Sequence, residues 1–421
     1  MENAHLDRKI ALVANLAPWP FTNGATVRQY YLLRSLRDAG YSVTLFGFCE
    51  SKHLSRARLE LGKICDDIHI EEKRSGGALL ISVVLALLKA VPISVQAYTS
   101  ASLIRSIKRY LAHNPNAAVI AHSSNVAQLI PKSIRSRSTL DMTDVDSSKF
   151  REYSIKKSWP MSWVNRREAK LLEKFEYQML EEFGRTVLGA KRELKEWNQQ
   201  KIIPFHSKIL IVSNGVDELV FKPNIPTSEL FIPLNEKRFF DNRSRVLFTG
   251  VMDYPPNVEA VMHFIRDVWP AVKRLTPNAK FTIMGSRPSP AVLKLQQDPS
   301  IEVTGFVDSA VPYFSTASVV VIPLLHSRGI SNKALEAMAI GSRIVTYGCV
   351  AEGVGENLES CLWIANSSLD FASATSKLLS DPAYGQDRGV SARAYVQEQH
   401  NWSILMGKIL ESHIELSHED L

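Results

Sequence analysis

Short continuous apolar runs alternate with amphipathic stretches along most of the chain. "KIALVANL" is such a run. A Pro/Asn/Gly loop follows it, then "ATVRQYYLLRSLRDAG", whose apolar spacing predicts a helix ending at Gly40. "YSVTLFGF", "DDIHIEE", "AAVIAHSS", "STLDMTDV", "RTVLGA" and "KILIVSNGV" read as further strands, with helical patterns between several of them. The longest of these is "RREAKLLEKFEYQMLEEFG". After "NGVDELVFKPNIP" the pattern loosens to about Arg245 and then restarts. "RVLFTGV", "AKFTIMGS", "IEVTGFV", "ASVVVIPLL" and "SRIVTYGC" read as strands with helices between them, and helices are expected from there to the end. This alternation predicts doubly wound parallel sheets. Two α/β halves joined near residues 217–245 predict two facing Rossmann-like domains, spanning 1–217 and 218–400, with ligands at the strands' carboxyl ends in a central cleft. A last helix, 401–421, is a candidate to cross back to the first domain.

One joint between elements stands out. In "HSRGISNKALEAMAIG" a polar loop leaves a buried strand and enters a short helix that Gly341 closes. The first N–H groups of a helix, with its positive dipole end, suit a phosphate. With Ser331 as N-cap, Glu336 falls in the second turn on the face of Asn332 and Lys333, where its carboxylate can accept two hydrogen bonds from a diol such as a ribose. A plain loop-to-helix joint with a solvated Glu is the alternative from this stretch alone.

Length adds little beyond two domains: 421 residues exceed one typical core. With 45% hydrophobic and 22% charged residues, wholesale disorder is excluded. The four cysteines lack metal-ligand or CxxC spacing and read as reduced structural thiols of a cytosolic protein. The N-terminus reads as a first strand and not as a signal peptide. "GGALLISVVLALLKAVPISV" is the most apolar window. Lys89 and Pro92 interrupt it, so a buried helix followed by a turn is expected rather than a spanning segment.

Charge changes the picture more. Residues 1–200 hold 30 Lys and Arg against 20 Asp and Glu, whereas residues 201–421 hold 20 against 23. A basic first half predicts an anionic partner. Its charges are dispersed and no nucleic-acid motif accompanies them, which favours an anionic bilayer or a phosphate-bearing substrate over nucleic acid.

The second half resembles a known family. "LFTGVMDYPPNVEAVMHFIRDVWP", "FTIMGSRP", "IEVTGFVDSAVPYFSTASVVVIPL" and "RGISNKALEAMAIGSRIV", in that order, resemble the donor domain of the family 4 glycosyltransferases, retaining enzymes of the GT-B fold. "VSNGVDELVFKP" is similar to the family's Asn-Gly-Val-Asp element before the interdomain crossover. The Asp-Tyr-x-Pro-Asn and Arg-Gly-Ile-x-Asn-Lys variants resemble bacterial sugar transferases of exosortase and exopolysaccharide clusters. The resemblance implies that Glu336 holds the donor ribose and that the backbone of Gly329, Ile330 and Ser331 cradles the diphosphate, beside Asn332 and Lys333. It places Gly250 and Gly285 at strand ends lining the cleft, and Thr304, Gly305 and Phe306 beside the base. Two features depart from the family. Arg328 stands where the motif's first Glu is expected, and "TGVMDYPPN" lacks the Arg and Lys that usually neutralise the diphosphate. Arg328 with Lys333 is the candidate replacement.

In the first half, "PWPFTNGATVRQ" resembles the family's loop at donor phosphate and acceptor, with Asn23, Gly24 and Arg28 as candidates. His122 ends a strand where the resemblance implies a histidine near the reacting centre. Asp144 and Asp146 end another and can orient acceptor hydroxyls or accept a proton. Turns, caps and a structural histidine are the plain readings of these residues. No metal is expected, nor any cofactor beyond a nucleoside diphosphate sugar as co-substrate. The resemblance thus implies a cytoplasmic retaining glycosyltransferase, with contact at the inner membrane face and a glycan or lipid-linked acceptor. Two other classes stay open: a nucleotide-sugar epimerase, and a non-catalytic GT-B binding or regulatory protein.

Overall fold

A computed structural model describes residues 8–21, 24–197, 199–223, 244–327 and 329–419. The chain divides into two compact units, Met1–Asn214 with Ser403–Leu421, and Gly215–Trp402.

The first unit is built on seven parallel strands. They are β1 (Lys9–Ala14), β2 (Ser42–Cys49), β3 (Asp67–Glu72), β4 (Ala118–His122), β5 (Thr139–Thr143), β6 (Arg185–Leu188) and β7 (Ile209–Ile211), in the order β3-β2-β1-β4-β5-β6-β7. The central strand β1 is buried along Ile10–Ala14, as a strand covered on both faces requires. It pairs in register with β4, Ala14 opposite His122, so the end of β4 meets the end of β1. The helix Trp402–Glu419 returns to this unit. His413 shares a hydrogen bond of 2.9 Å with Thr139, and Arg185 Nε donates to Ser412 Oγ at 2.9 Å.

The second unit holds six parallel strands, β8 (Arg245–Thr249), β9 (Lys280–Met284), β10 (Ile301–Gly305), β11 (Val319–Ile322), β12 (Ile344–Tyr347) and β13 (Trp363–Ala365), in the order β10-β9-β8-β11-β12-β13. Only helices were expected after "SRIVTYGC"; β13 is a correction. Its three residues are too few to show a period in sequence, and pairing with β12 defines it. The helix expected over "NVEAVMHFIRDVWPAVKRLTP" is present with one wide turn, Phe264–Val268, just before Pro270. Proline has no N–H to donate and its ring crowds the carbonyl four residues back, which a wide turn accommodates.

A second correction concerns the most apolar window. The helix Gly76–Leu88 forms, but it is not buried: Leu80, Ile81 and Leu88 are 65%, 63% and 79% exposed. Its inward residues are Ser82 and Ala86. Among the described residues no helix is long and apolar enough to cross a membrane.

Candidate functional site

In the second sheet the strand order reverses between β8 and β11, and the carboxyl ends of two such strands are where open α/β sheets bind their ligands. Three expected residues gather there. Gly250 directly follows β8, and Lys333 and Glu336 lie on the helix Asn332–Ile340 that the segment after β11 feeds. This helix forms because Ala334, Leu335 and residues 337–340 bury one broad face, and it stops because Gly341 takes the left-handed conformation at φ 79°.

The strand ends are pressed together. Gly250 N–H donates to Met284 O at 3.0 Å, and Gly285 N–H donates to Gly305 O at 3.2 Å. A Cβ on Gly285 would lie 1.6 Å from the carbonyl oxygen of Gly250, so no other residue fits without moving backbone. Thr304 Oγ1 donates to Gly305 O at 2.8 Å, and Phe306 beyond it is 71% exposed.

Lys333 reaches across to the end of β8. Its ammonium donates to Asn257 Oδ1 at 2.7 Å and lies 4.5 Å from the centroid of the Phe248 ring. Asn257 Nδ2 in turn donates to Val251 O at 3.0 Å, which fixes the acceptor that Lys333 uses. A Cβ on Gly250 would stand 3.1 Å from the Lys333 ammonium, so the charge sits directly over the glycine backbone. Burial pushes Lys333 down to about 7, opposed by Glu336, and pushes Glu336 up to about 7, opposed by Lys333. Among the described residues, no hydrogen bond is made to the Glu336 carboxylate. An anion arriving beside Lys333 would reverse the penalty on its charge.

Ser331 occupies the N-cap position, but its hydroxyl makes no capping bond; only its carbonyl accepts, from Ala334 N–H at 2.9 Å. The expected cap is thus positional. Gly329 has φ 57°, and Ile330 packs against the core of this unit. Arg328, expected to neutralise a diphosphate, lies outside the described residues, as does Asn23.

The first sheet reverses between β1 and β4, and a second cluster sits at its carboxyl edge. His122 Nδ1 and Asp141 Oδ2 are 3.0 Å apart, and the Arg28 guanidinium binds both oxygens of the same carboxylate, Nε at 2.8 Å and Nη2 at 3.0 Å. Arg28 Nη1 also donates to Val212 O and Ser213 O at 2.9 and 2.8 Å. Arg28 is therefore corrected: it is wholly buried and committed to protein acceptors, so it is not open to a phosphate. Burial alone would raise Asp141, but Arg28 and His122 hold it well below the usual carboxylate range. Sequence reasoning missed Asp141. The signal was present, a carboxylate inside the otherwise apolar "TLDMT", which buries only when paired.

Gly24 opens the helix Gly24–Asp38 that carries Arg28. Asp144 follows β5 at the surface; desolvation of its carboxyl and the charges of Glu193 and Asp146 push it up to about 6. Asp146 begins the helix Asp146–Lys156 and accepts from Ser124 Oγ at 3.3 Å. Its carboxyl too is raised, by burial.

The family model described as glycosyl transferases group 1 matches residues 243–381, a span that includes Gly250, Lys333 and Glu336. A protein of Klebsiella pneumoniae, "uncharacterized 44.6 kDa protein in cps region", is 22% identical over 406 residues, covering 93% of this chain and 96% of that protein. Sucrose-phosphate synthase from Thermosynechococcus elongatus superimposes with a TM-score of 0.65 at 16% identity, over 97% of this chain and 99% of its own. Anabaena Alr3699/HepE, solved in complex with UDP-glucose, gives a TM-score of 0.61 at 13% identity, over 96% and 98%. The two-Rossmann fold is thus that of the GT-B glycosyltransferases.

Proposed function

We propose that this glycosyltransferase, whose residues 243–381 form a glycosyl transferases group 1 domain, moves a sugar from a nucleoside diphosphate to an acceptor hydroxyl with retention of configuration. The observation that carries the donor assignment is the convergence of Gly250, Lys333 and Glu336 at the reversal point of the second sheet. The space over Gly250 that a side chain would take is filled by Asn257 and the Lys333 ammonium, which the glycine lets approach the end of β8. Lys333 and the N-terminus of the helix Asn332–Ile340 supply positive potential as the leaving diphosphate gains charge. Glu336, without a hydrogen-bond partner among the described residues, accepts the ribose hydroxyls. Thr304, Gly305 and Phe306 lie beside the base. Arg328, which stands in the sequence where the family motif has a glutamate, is assigned to the same diphosphate. That the Anabaena neighbour was solved with UDP-glucose supports this class of donor.

The acceptor binds to the first unit at the carboxyl edge of its sheet. His122, buried and held through Nδ1 by Asp141, fixes this edge of the sheet, while Asp144 and Asp146 orient hydroxyls. In a retaining transfer on one sugar face, the departing phosphate takes the acceptor proton. The enzyme then works by positioning and electrostatics. The cps-region relative points to a polysaccharide or lipid-linked glycan as acceptor.

A thermal-shift panel with UDP, GDP, dTDP and their common sugars tests the donor site. One nucleotide should raise the unfolding temperature by mass action, and Glu336→Ala should abolish that rise. No shift with any nucleotide at millimolar concentration would instead favour a non-catalytic binding protein.

A further inference from the structure

The helix Gly76–Leu88 has its polarity inverted. A surface helix of a water-soluble domain turns large apolar residues inward and polar ones outward. This one turns Ser82 and Ala86 inward, with Ser82 Oγ accepting from Arg74 Nη1 at 3.0 Å. It presents Leu79, Leu80, Ile81, Val84, Leu87 and Leu88 to solvent.

The apolar face does not end with this helix. Arg167, on the helix Met161–Glu182, donates to Ala86 O at 2.9 Å and to Val91 O at 3.3 Å, which pins the start of that helix to the end of Gly76–Leu88. Trp163, one turn before Arg167, is 56% exposed, and Met161 is 52% exposed. Trp159 and Ile155 just upstream are each 81% exposed. Exposed apolar surface on this scale marks an interaction site.

Charge selects the occupant. Residues 73–92 and 155–170 together hold eight basic residues, among them Lys73, Lys89, Lys157 and Arg166, against one acid, Glu168. That acid is buried, accepting from the backbone N–H groups of Ile93 and Ser94. Leucine and isoleucine on one face, exposed tryptophans on the neighbouring segment and an excess of basic residues form the pattern of a helix lying in a bilayer interface. A helix of 13 residues is too short to span one. A second copy of this chain would instead set one basic rim against another.

We propose that the face formed by Gly76–Leu88 and the Trp159–Trp163 segment is an interfacial docking site for an anionic phospholipid bilayer. Gly76–Leu88 is inserted between β3 and the helix Ala101–His113 that crosses to β4, and the segment around Trp159 between β5 and the helix that crosses to β6. Both insertions therefore start from the carboxyl edge of the sheet, where His122 and Asp144 lie. A bilayer held there brings a lipid-linked hydroxyl to the acceptor side. Binding itself does not depend on the donor reading.

Co-sedimentation of the full chain with phosphatidylcholine vesicles, with and without about 30% phosphatidylglycerol, tests the proposal. The protein should pellet with the anionic vesicles and far less with the neutral ones. Leu80→Glu and Leu88→Glu should each weaken binding roughly tenfold while the unfolding temperature holds. Lys89→Glu with Lys157→Glu should weaken binding to anionic vesicles only, and Glu336→Ala should bind like the unaltered protein. Retention in the supernatant with anionic vesicles would overturn the proposal, as would equal pelleting of the apolar variants. A dimer in light scattering that Leu80→Glu dissolves, without vesicle binding, would make a second copy the occupant instead.

Discussion

Asp141 is a fully buried carboxylate that touches two cationic or ionisable partners and no solvent. It is tempting to count the Arg28–Asp141 pair as pure stabilisation, but both groups gave up their hydration to meet, so the net gain over an apolar pair is small. Removing one partner is a different matter, because a buried guanidinium is then left without its counter-charge. Asp141→Ala should lower stability by about 3–5 kcal/mol in urea denaturation. It should also free the His122 ring, so that activity falls toward that of His122→Gln, which sets the limit for this route. A loss below about 1 kcal/mol would mean that water or another carboxylate replaces Asp141, and the positioning role would fail. Lys333 illustrates the converse case at the residue scale. Its charge is disfavoured by burial and supported by Glu336, by the bond to Asn257 and by the Phe248 ring, a state that a bound diphosphate would relieve.

At the scale of elements, the site depends on strand ends more than on side chains. Gly285→Ala would place a methyl group on the Gly250 carbonyl, forcing β8 and β9 apart at their carboxyl ends. The expected result is a destabilisation of about 1–3 kcal/mol with loss of the nucleotide-dependent thermal shift; an unchanged shift would remove Gly250 from the donor site. Much of this architecture is legible from the chain. The runs "IALVA" and "VVVI" are apolar at every position because parallel strands are covered on both faces, and the helix ending at Gly341 carries its stop signal in one residue. The misses have physical causes. β13 is three residues long and owes its state to pairing with β12. The helix Gly76–Leu88 was read as buried because composition reports apolarity, not which side faces the core. Arg28 was read as a ligand contact because nothing local reveals Asp141, 113 positions away.

Across the whole molecule, two units of like architecture carry unlike features. The second carries the Gly250, Lys333 and Glu336 cluster and the family match, while the first carries the His122 cluster, the apolar face and the basic excess. The loop chemistry in the second unit was legible in advance from "RGISNKALEAMAIG", since a helix start after a buried strand is a local pattern. The acceptor side was less so, because Arg28, His122 and Asp141 come together only through the order of the sheet. The most direct test of sugar transfer is to incubate the full chain with the nucleotide sugar whose base gives the thermal shift, with and without bacterial membranes as the source of acceptor, and to follow nucleoside diphosphate release. Release that requires the membranes, with the sugar recovered on a glycan or lipid and the reaction lost in Glu336→Gln, is the predicted result. An altered nucleotide sugar formed with no acceptor present, or no turnover in either mixture, would contradict it.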